Sequence, residues 1–238
     1  MKTLNWKPAL APGPVTLRGR YVTLESLDVE RHGASIWEAV RGHDELWNWL
    51  AHGPYLNAEK MLAEIDEWRQ AASSVVLAII PREEGPPVAG AVRDKSREDK
   101  AKGWASYMRI EPAHGVIEVG NILFSPELKR TRAATEAMYL MAGHVFDHLG
   151  YRRYEWKCNA LNEPSRRAAQ RFGFRFEGIF RQHMVVKDIS RDTAWFAMLD
   201  HEWPARKQAF EAWLDPRNFD EQGKQRKSLA EIQALTHA

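Results

Sequence analysis

Hydrophobic positions along the chain recur with two different periods, which indicates a fold built from both strands and helices. Residues 75–80 (VVLAII) are a continuous apolar run of strand length and predict a buried strand. Residues 57–71 instead repeat at helical spacing, and Asn57 is placed to cap this helix. The face that this helix should bury carries Met61, Leu62, Ile65 and Trp68.

The same patterns predict about seven strands and six helices along the chain. The strands are expected at residues 15–25, 75–80, 104–110, 116–124, 151–159, 174–186 and 193–199, with a further short strand at 89–93 and a turn at 188–192. The helices are expected at residues 28–40, 57–71, 131–149, 163–172 and 204–214, and from 228 onward. Residues 93–102 alternate in charge and predict a solvated hairpin tip.

Successive strands dominate the middle of the chain, so the expected class is α+β with a mixed sheet. The helix expected at residues 131–149 lies between strands 116–124 and 151–159 and makes these two strands a right-handed parallel crossover.

Composition limits the classes of protein to which the chain can belong. Apolar residues make up 44% and charged residues 28% of its 238 residues, which is ordinary for a globular domain. A net charge of +2 argues against a dedicated nucleic-acid binder. The single cysteine, Cys158, excludes an internal disulfide framework, and we expect no metal. Without a signal peptide or an apolar run of the ~20 residues that span a bilayer, a cytoplasmic protein without membrane contact is expected.

A basic turn immediately before the predicted helix 131–149 is the most informative feature. It contains Lys129, Arg130 and Arg132. A helix N-terminus exposes four unpaired N–H groups and about half a positive charge, and cations added there favour a polyphosphate ligand. The alternative is an exposed basic turn without a ligand. Because positive charge opposes the helix dipole at this end, a purely structural purpose is disfavoured.

Two sequence blocks resemble the GCN5-related N-acetyltransferase (GNAT) superfamily, in the branch of the RimJ/RimL-type ribosomal-protein N-terminal acetyltransferases. They are FSPELKRTRAATEA (124–137) and NEPSRRAAQRFGFRFEG (162–178). A looser likeness at LRGRYVTL, WLAHGPY (49–55) and RDTAWFAML (191–199) extends the resemblance over about residues 15–205. The resemblance implies a GNAT fold, whose mostly antiparallel sheet of about seven strands is flanked by helices and contains a splayed parallel pair.

The resemblance implies acetyl-coenzyme A (acetyl-CoA) as the co-substrate. Its pyrophosphate would be bound by the basic turn and the first helical residues: Lys129, Arg130, Thr131, Arg132, Ala133, Ala134 and Thr135. The pantetheine arm would lie between the splayed strands, where Asn162 would hydrogen-bond it. A backbone N–H near Leu123 or Phe124 would polarise the thioester carbonyl. Arg132 stands where the family has a glycine, which is compatible with binding if its side chain points away.

Three residues are candidates for proton transfer. Glu118 opens a strand beside the expected amine site and is the candidate general base, with a surface carboxylate as the alternative. Ser165 could protonate the leaving thiolate, because Ala169 occupies the position where many relatives have a tyrosine acid; the alternative for Ser165 is a helix cap. His183 is a second candidate base, and a packed or solvated histidine is its alternative.

The candidate acceptor-binding residues are Trp47, Trp49, Tyr55 and Glu118, since aromatic side chains line ligand clefts as well as cores. The attacking amine must be neutral, and an α-amine with a pKa of about 7.8 loses its proton far more easily than a lysine at about 10.4. The predicted function is therefore acetyl transfer to a primary amine, on a peptide N-terminus or a small molecule, by direct attack in a ternary complex. The alternatives are succinyl or other acyl transfer, and non-catalytic acyl-CoA binding.

The chain is expected to comprise an N-terminal arm (1–14), an N-acetyltransferase domain (15–204) and a C-terminal helical extension (205–238). The extension could cover the substrate cleft or mediate a homodimer.

Overall fold

One mixed sheet of eight strands organises the protein. The computed structural model describes residues 4–70, 74–82 and 100–235. The strands are β1 (Thr16–Arg18), β2 (Val22–Ser26), β3 (Ser74–Pro81), β4 (Gly103–Glu111), β5 (Val116–Phe124), β6 (Arg153–Asn159), β7 (Arg175–Val186) and β8 (Ile189–Leu199). Their order in the sheet is β1-β2-β3-β4-β5-β6-β8-β7, and only β5 and β6 are parallel neighbours among them. The α+β class with a mostly antiparallel sheet and one parallel pair is confirmed.

Six α-helices flank the sheet in the described part of the chain. They are α1 (Val29–Val40), α2 (Ala58–Gln70), α3 (Arg132–Gly143), α4 (Glu163–Arg171), α5 (Trp203–Leu214) and α6 (Leu229–Leu235). A π-helical turn, His144–His148, extends α3. The predicted caps are confirmed, because Asp28 accepts a hydrogen bond from the Arg31 N–H at 2.9 Å and Asn57 accepts one from the Lys60 N–H at 3.0 Å.

The single strand expected at residues 15–25 is wrong, because this segment is the β1–β2 hairpin. The chain reverses after Gly19, and the Glu136 carboxylate of α3 accepts the N–H groups of Arg20, Tyr21 and Val22 at 2.9, 2.6 and 3.0 Å. A Cβ atom on Gly19 would lie 2.3 Å from this carboxylate. A long-range contact that the local pattern does not contain therefore fixes the reversal.

The turn expected at residues 188–192 is also wrong, since β7 and β8 are joined by a tighter turn. Lys187 and Asp188 both have positive φ angles, 50° and 60°, and Val186 pairs directly with Ile189. Two central residues with φ > 0 match the twist of an antiparallel hairpin. Residues 189–192 consequently belong to β8.

The sheet separates two hydrophobic cores. Alternate residues of β3 enter different cores, with Leu77 and Ile79 in one and Val76, Ala78 and Ile80 in the other. The first core includes residues of α3, α5 and α6, so the C-terminal segment shares it with the rest of the domain. The second includes residues of α1 and α2. The expected domain boundaries at 14 and 204 stay predictions.

Two expectations concern residues outside the described ranges: the short strand at 89–93 and most of the charged segment 93–102. Among the residues that are described, none of the helices has the length and apolar character that crossing a membrane requires. The described side chains likewise include no group of three or more His, Cys, Asp or Glu residues arranged to hold a metal ion.

Candidate active site

The parallel strands β5 and β6 separate before either of them ends. Their pairing runs from Val116 and Arg153 to Val119 and Trp156, whereas β5 continues to Phe124 and β6 to Asn159. Residues 120–124 and 157–159 therefore border an opening, which we call the split. Backbone groups that face such an opening can hydrogen-bond an extended ligand as a further strand would.

Three bulges lie in strands β4, β5 and β7, each with a non-glycine residue of positive φ. These residues are Arg109 on β4, Asn121 on β5 and Gln182 on β7, with φ angles of 45°, 46° and 48°, and each lies at a shift in strand register. Left-handed backbone costs a non-glycine residue on the order of 1 kcal/mol or more and occurs preferentially at functional sites. A bulge also redirects side chains of the strand that contains it.

The N-terminus of α3 follows the split along the chain. Thr131 is its N-cap, and the threonine Oγ1 accepts a hydrogen bond from the Ala134 N–H at 3.1 Å. The amide of Ala133 has no protein partner within the described residues. Lys129 and Arg130 are exposed in the preceding turn, where Arg130 has a φ angle of 64°. Two cations beside a free helical amide are an arrangement that favours the binding of an anion.

Arg132 is engaged by the protein itself. Its guanidinium carbon lies 4.3 Å from the centre of the Phe219 ring and 5.2 Å from that of Tyr21. A Cβ atom on Gly223 would also come within 3.4 Å of this guanidinium. The arginine that replaces the family's glycine is thus held between the β1–β2 hairpin and the C-terminal segment by cation–π contacts.

The start of α4 brings Asn162 and Ser165 together at the other border of the split. Asn162 is the N-cap, since its Oδ1 accepts a hydrogen bond from the Ser165 N–H at 3.1 Å. The hydroxyl of Ser165 is not the cap; its Oγ accepts the indole N–H of Trp156 at 3.0 Å, which leaves its own proton to donate. Burial raises the pKa of the nearby Cys158 thiol, and Ala169 is fully buried.

Glu118 is a buried carboxylate. Its Oε2 lies 2.9 Å from the Nζ of Lys157 and 3.1 Å from the Nε of Arg109. Neither contact has good hydrogen-bond geometry, and this oxygen has no such donor within the described chain. Burial raises the pKa of Glu118, while Lys157 and Arg109 oppose that rise. The surface-carboxylate alternative does not describe this residue, which is 6% exposed.

The ion pairs continue along one face of β6. Lys157 also lies 2.6 Å from Oε2 of Glu155, and Arg153 lies 2.7 Å from Oε1 of the same carboxylate. Arg153 in turn donates to Glu177 at 2.8 Å. This network was not predicted from the sequence, although residues 153, 155 and 157 are charged at every second position of a strand, which places them on one face.

His183 lies on the same face of the sheet as Lys157. Its Nδ1 is 3.0 Å from Oγ1 of Thr193, and its ring centre is 5.9 Å from that of Trp195. The ammonium of Lys157 lies 3.8 Å from the Trp195 ring centre, so these contacts connect His183 to Glu118. Partial burial and the cations Arg109, Arg191 and Lys157 lower the pKa of His183, which favours a neutral imidazole.

The aromatic candidates differ in where they lie. Trp47 is 2% exposed in the second core, whereas Trp49 is 41% exposed. Tyr55 contacts His52, a residue that was not predicted from the sequence. The Tyr55 hydroxyl is 3.1 Å from Nδ1 of His52. The Nε2 of His52 is 2.8 Å from Oδ1 of Asn121 in the β5 bulge. In the sequence, His52 was included only as part of the motif WLAHGPY (49–55).

A hydrogen bond joins two distant segments on this side of the sheet. The Nζ of Lys187, in the β7–β8 turn, donates to the Trp47 carbonyl at 2.9 Å. Gly53 supports the same loop, since a Cβ atom there would lie 2.6 Å from the Trp47 ring. We call the space between this loop and the β7–β8 hairpin the acceptor cleft; Glu118, His183 and Tyr55 are its candidate residues.

Comparisons with known proteins agree with this geometry. A sequence profile described as an acetyltransferase (GNAT) domain matches residues 22–175. The crystal structure of a GCN5-related N-acetyltransferase from Brucella melitensis is 45% identical, covers 97% of this chain and 99% of its own, and has a TM-score of 0.88. That of a probable acetyltransferase of the GNAT family from Chromobacterium violaceum ATCC 12472 is 37% identical, with coverages of 86% and 96% and a TM-score of 0.75.

A more distant structure shares the fold alone. It is the acetyl transferase from Salmonella typhimurium that modifies the N-terminal serine of ribosomal protein L7/L12, which is 17% identical over 76% of this chain and 96% of its own, with a TM-score of 0.60. A comparison with curated protein sequences gives no match. The profile spans more than half of the chain, and the two similar structures cover most of it. The chain therefore belongs to the GCN5-related N-acetyltransferase (GNAT) family.

Proposed function

We propose that the protein transfers the acetyl group of acetyl-CoA to a primary amine, on a peptide N-terminus or a small molecule, by direct attack in a ternary complex. One observation carries this proposal: the split in the parallel pair leads along the chain to the start of α3, where a free helical amide lies beside two exposed cations. An extended pantetheine arm and a terminal diphosphate require those two features at neighbouring positions. The family assignment supports the same donor.

The residues present suit the coenzyme. The first amides of α3, with Lys129 and Arg130, would bind the diphosphate. Residues 120–124 of β5 would bind the pantetheine arm, and a backbone N–H near Leu123 or Phe124 would polarise the thioester carbonyl. Asn162 uses its Oδ1 for the α4 cap, so its side-chain NH₂ is the group left for the pantetheine.

Two side chains would move the protons of the reaction. The amine nitrogen attacks the thioester carbon, a C–N bond forms, the C–S bond breaks, and the sulfur leaves as a thiolate. Glu118 would accept the proton of the amine, directly or through a water molecule, because its raised pKa makes it a stronger base than an exposed carboxylate. Ser165 would donate a proton to the sulfur. The neutral imidazole of His183 is the second candidate base.

The relationship to RimJ/RimL-type enzymes is part of this proposal. Its support is Asn-x-x-Ser at residues 162–165 and the ATEA sequence at the start of α3. An α-amine is the acceptor that such a site handles most easily, because its deprotonation at neutral pH costs about 1 kcal/mol, against about 4 kcal/mol for a lysine side chain.

Two measurements test the proposed function. Calorimetric titration with acetyl-CoA should show binding, and thiol release should follow when a panel of α-amines, lysine-type amines and polyamines is added. The Glu118→Gln variant should bind acetyl-CoA like the wild type and release thiol far more slowly. Binding without thiol release for any amine would refute the catalytic assignment and leave an acyl-CoA-binding protein.

A further inference from the structure

Arg191 lies at the mouth of the split, on the side of β8. The last residue of β6, Asn159, pairs with Thr193 of β8. Arg191 is two residues further along β8 and thus beyond the end of β6, on the same face as Thr193 and Trp195. That face also carries Lys157 and His183, so Arg191 belongs to the acceptor cleft.

The guanidinium of Arg191 is partly buried without a counter-ion from the described residues. Its Nε is fully buried and has no hydrogen-bond partner in the described chain, and no described carboxylate forms an ion pair with it. Burial lowers the pKa of Arg191, as expected for a cation withdrawn from water, and the charges of Cys158 and Glu118 only partly oppose this shift. Removal of a cation from water without an anion costs free energy that a bound ligand could offset.

The neighbouring charges are already balanced among themselves. The network on β6 contains three cations and three carboxylates: Arg109, Lys157, Arg153, Glu118, Glu155 and Glu177. His183 adds no charge when neutral. Arg191 is therefore an additional positive charge in the acceptor cleft, beyond the charges that pair with each other.

We propose that Arg191 binds a carboxylate of a substrate. The inference rests on the proposed function and gives it a substrate class. The carboxylate could belong to the acceptor, as in an amino acid or a peptide with a free C-terminus, or to the acyl group, as in a succinyl donor. A guanidinium suits either source, because its planar fork of N–H donors matches the two oxygens of a carboxylate.

Two arms of one kinetic experiment distinguish the sources. In the acceptor arm, thiol release from acetyl-CoA is measured with amino acids against their carboxamides, and with dipeptides that have free or amidated C-termini. In the donor arm, succinyl-CoA is compared with acetyl-CoA on an uncharged amine. In one of the two arms, the wild type should have a kcat/KM about tenfold or more higher for the substrate that carries the carboxylate than for its uncharged counterpart. A factor of this size corresponds to one charge-assisted hydrogen bond.

Variants then assign that preference to Arg191. In Arg191→Gln the preference should fall to within about twofold, and Arg191→Lys should retain part of it. The control is Arg181→Gln, which removes an exposed arginine from the neighbouring strand β7 and should keep the preference. Arg191→Gln should also keep or raise the melting temperature, since it removes an uncompensated charge; a structural arginine would give the opposite shift.

The inference would be overturned if carboxylated and uncharged substrates reacted at equal rates in both arms. It would also be overturned if Arg191→Gln kept the wild-type preference for the carboxylated substrate. If no amine supports thiol release, the proposed function fails separately. Calorimetric binding of the carboxylated amines and of succinyl-CoA, to the wild type and to Arg191→Gln, then decides the role of Arg191. Equal affinities in the two proteins would count against it.

Discussion

The ammonium of Lys157 lies 2.9 Å from Oε2 of Glu118, and both side chains are more than nine-tenths buried. Glu118 belongs to the part of β5 that still pairs with β6, whereas Lys157 follows Trp156, the last residue of β6 that pairs with β5. The ion pair therefore spans the point at which the two strands separate. It places a buried carboxylate and its counter-ion at the closed end of the split, next to the acceptor cleft.

Replacement of Glu118 by glutamine should separate catalysis from stability. We predict that Glu118→Gln lowers kcat by about 10²–10⁴-fold, the usual contribution of a general base. The free energy of unfolding should fall less between pH 5 and pH 8 in Glu118→Gln than in the wild type. The folded-state pKa of Glu118 is raised, so its stabilising contribution is fully present below the unfolded-state pKa and is lost as pH rises through the folded-state value. Glutamine imitates the protonated form at every pH.

Denaturant titrations at pH 5 and pH 8, with thiol-release assays, check both parts of this prediction. Glu127→Gln is the control, because Glu127 is an exposed carboxylate that pairs with Lys102 at 2.8 Å. It should leave both quantities unchanged. Wild-type kcat in Glu118→Gln would remove Glu118 as the base.

Ser165→Ala tests the proton donor without removal of the α4 cap. The cap bond joins Asn162 Oδ1 to the backbone N–H of residue 165, so alanine preserves it. We expect kcat to fall by about tenfold or more, and stability to fall by about 1 kcal/mol because the Trp156 indole N–H loses its acceptor. Asn162→Ala removes the cap itself and should cost about 1 kcal/mol. An unchanged kcat in Ser165→Ala would contradict the assigned role.

Protonation of His52 should lower the stability of the folded protein at acidic pH. Burial lowers the pKa of His52, so its contribution to stability is present above the unfolded-state pKa of about 6.5 and is lost as pH falls through the lower folded-state value. Melting temperatures measured from pH 8 to pH 5 should therefore fall less in His52→Gln than in the wild type. His201→Gln, which changes an exposed histidine, is the control. Parallel pH curves for the wild type and His52→Gln would disprove this account.

Local sequence signals predicted the elements well. Caps at Asp28 and Asn57 set the starts of α1 and α2, and the apolar run of β3 and the pattern of β5 gave strands at the right places. The basic turn predicted an anion site at the start of α3, and the resemblance to the GNAT family implied a role for the Asn-x-x-Ser motif at the start of α4. These features depend on residues that are close in the chain, which a pattern contains.

The parts that the sequence did not reveal depend on contacts between distant residues. Arg109, Asn121 and Gln182 have positive φ angles although none of them is a glycine, the residue type from which a sequence predicts this conformation. The contact of Lys187 with the Trp47 carbonyl joins segments 140 residues apart. His52 gains its partner Asn121 in the same way. The acceptor cleft could therefore be located only from the folded chain.

Binding of coenzyme A to the start of α3 tests the central claim most directly. Calorimetric titration should be performed at low and high salt on the wild type and on the double variant Lys129→Glu/Arg130→Glu. The variant Lys7→Glu/Lys60→Glu, which changes exposed lysines on other segments by the same net charge, is the control. We predict that the first variant alone loses about tenfold or more in affinity and most of its salt dependence. Unchanged affinity and an unchanged response to salt would contradict the account.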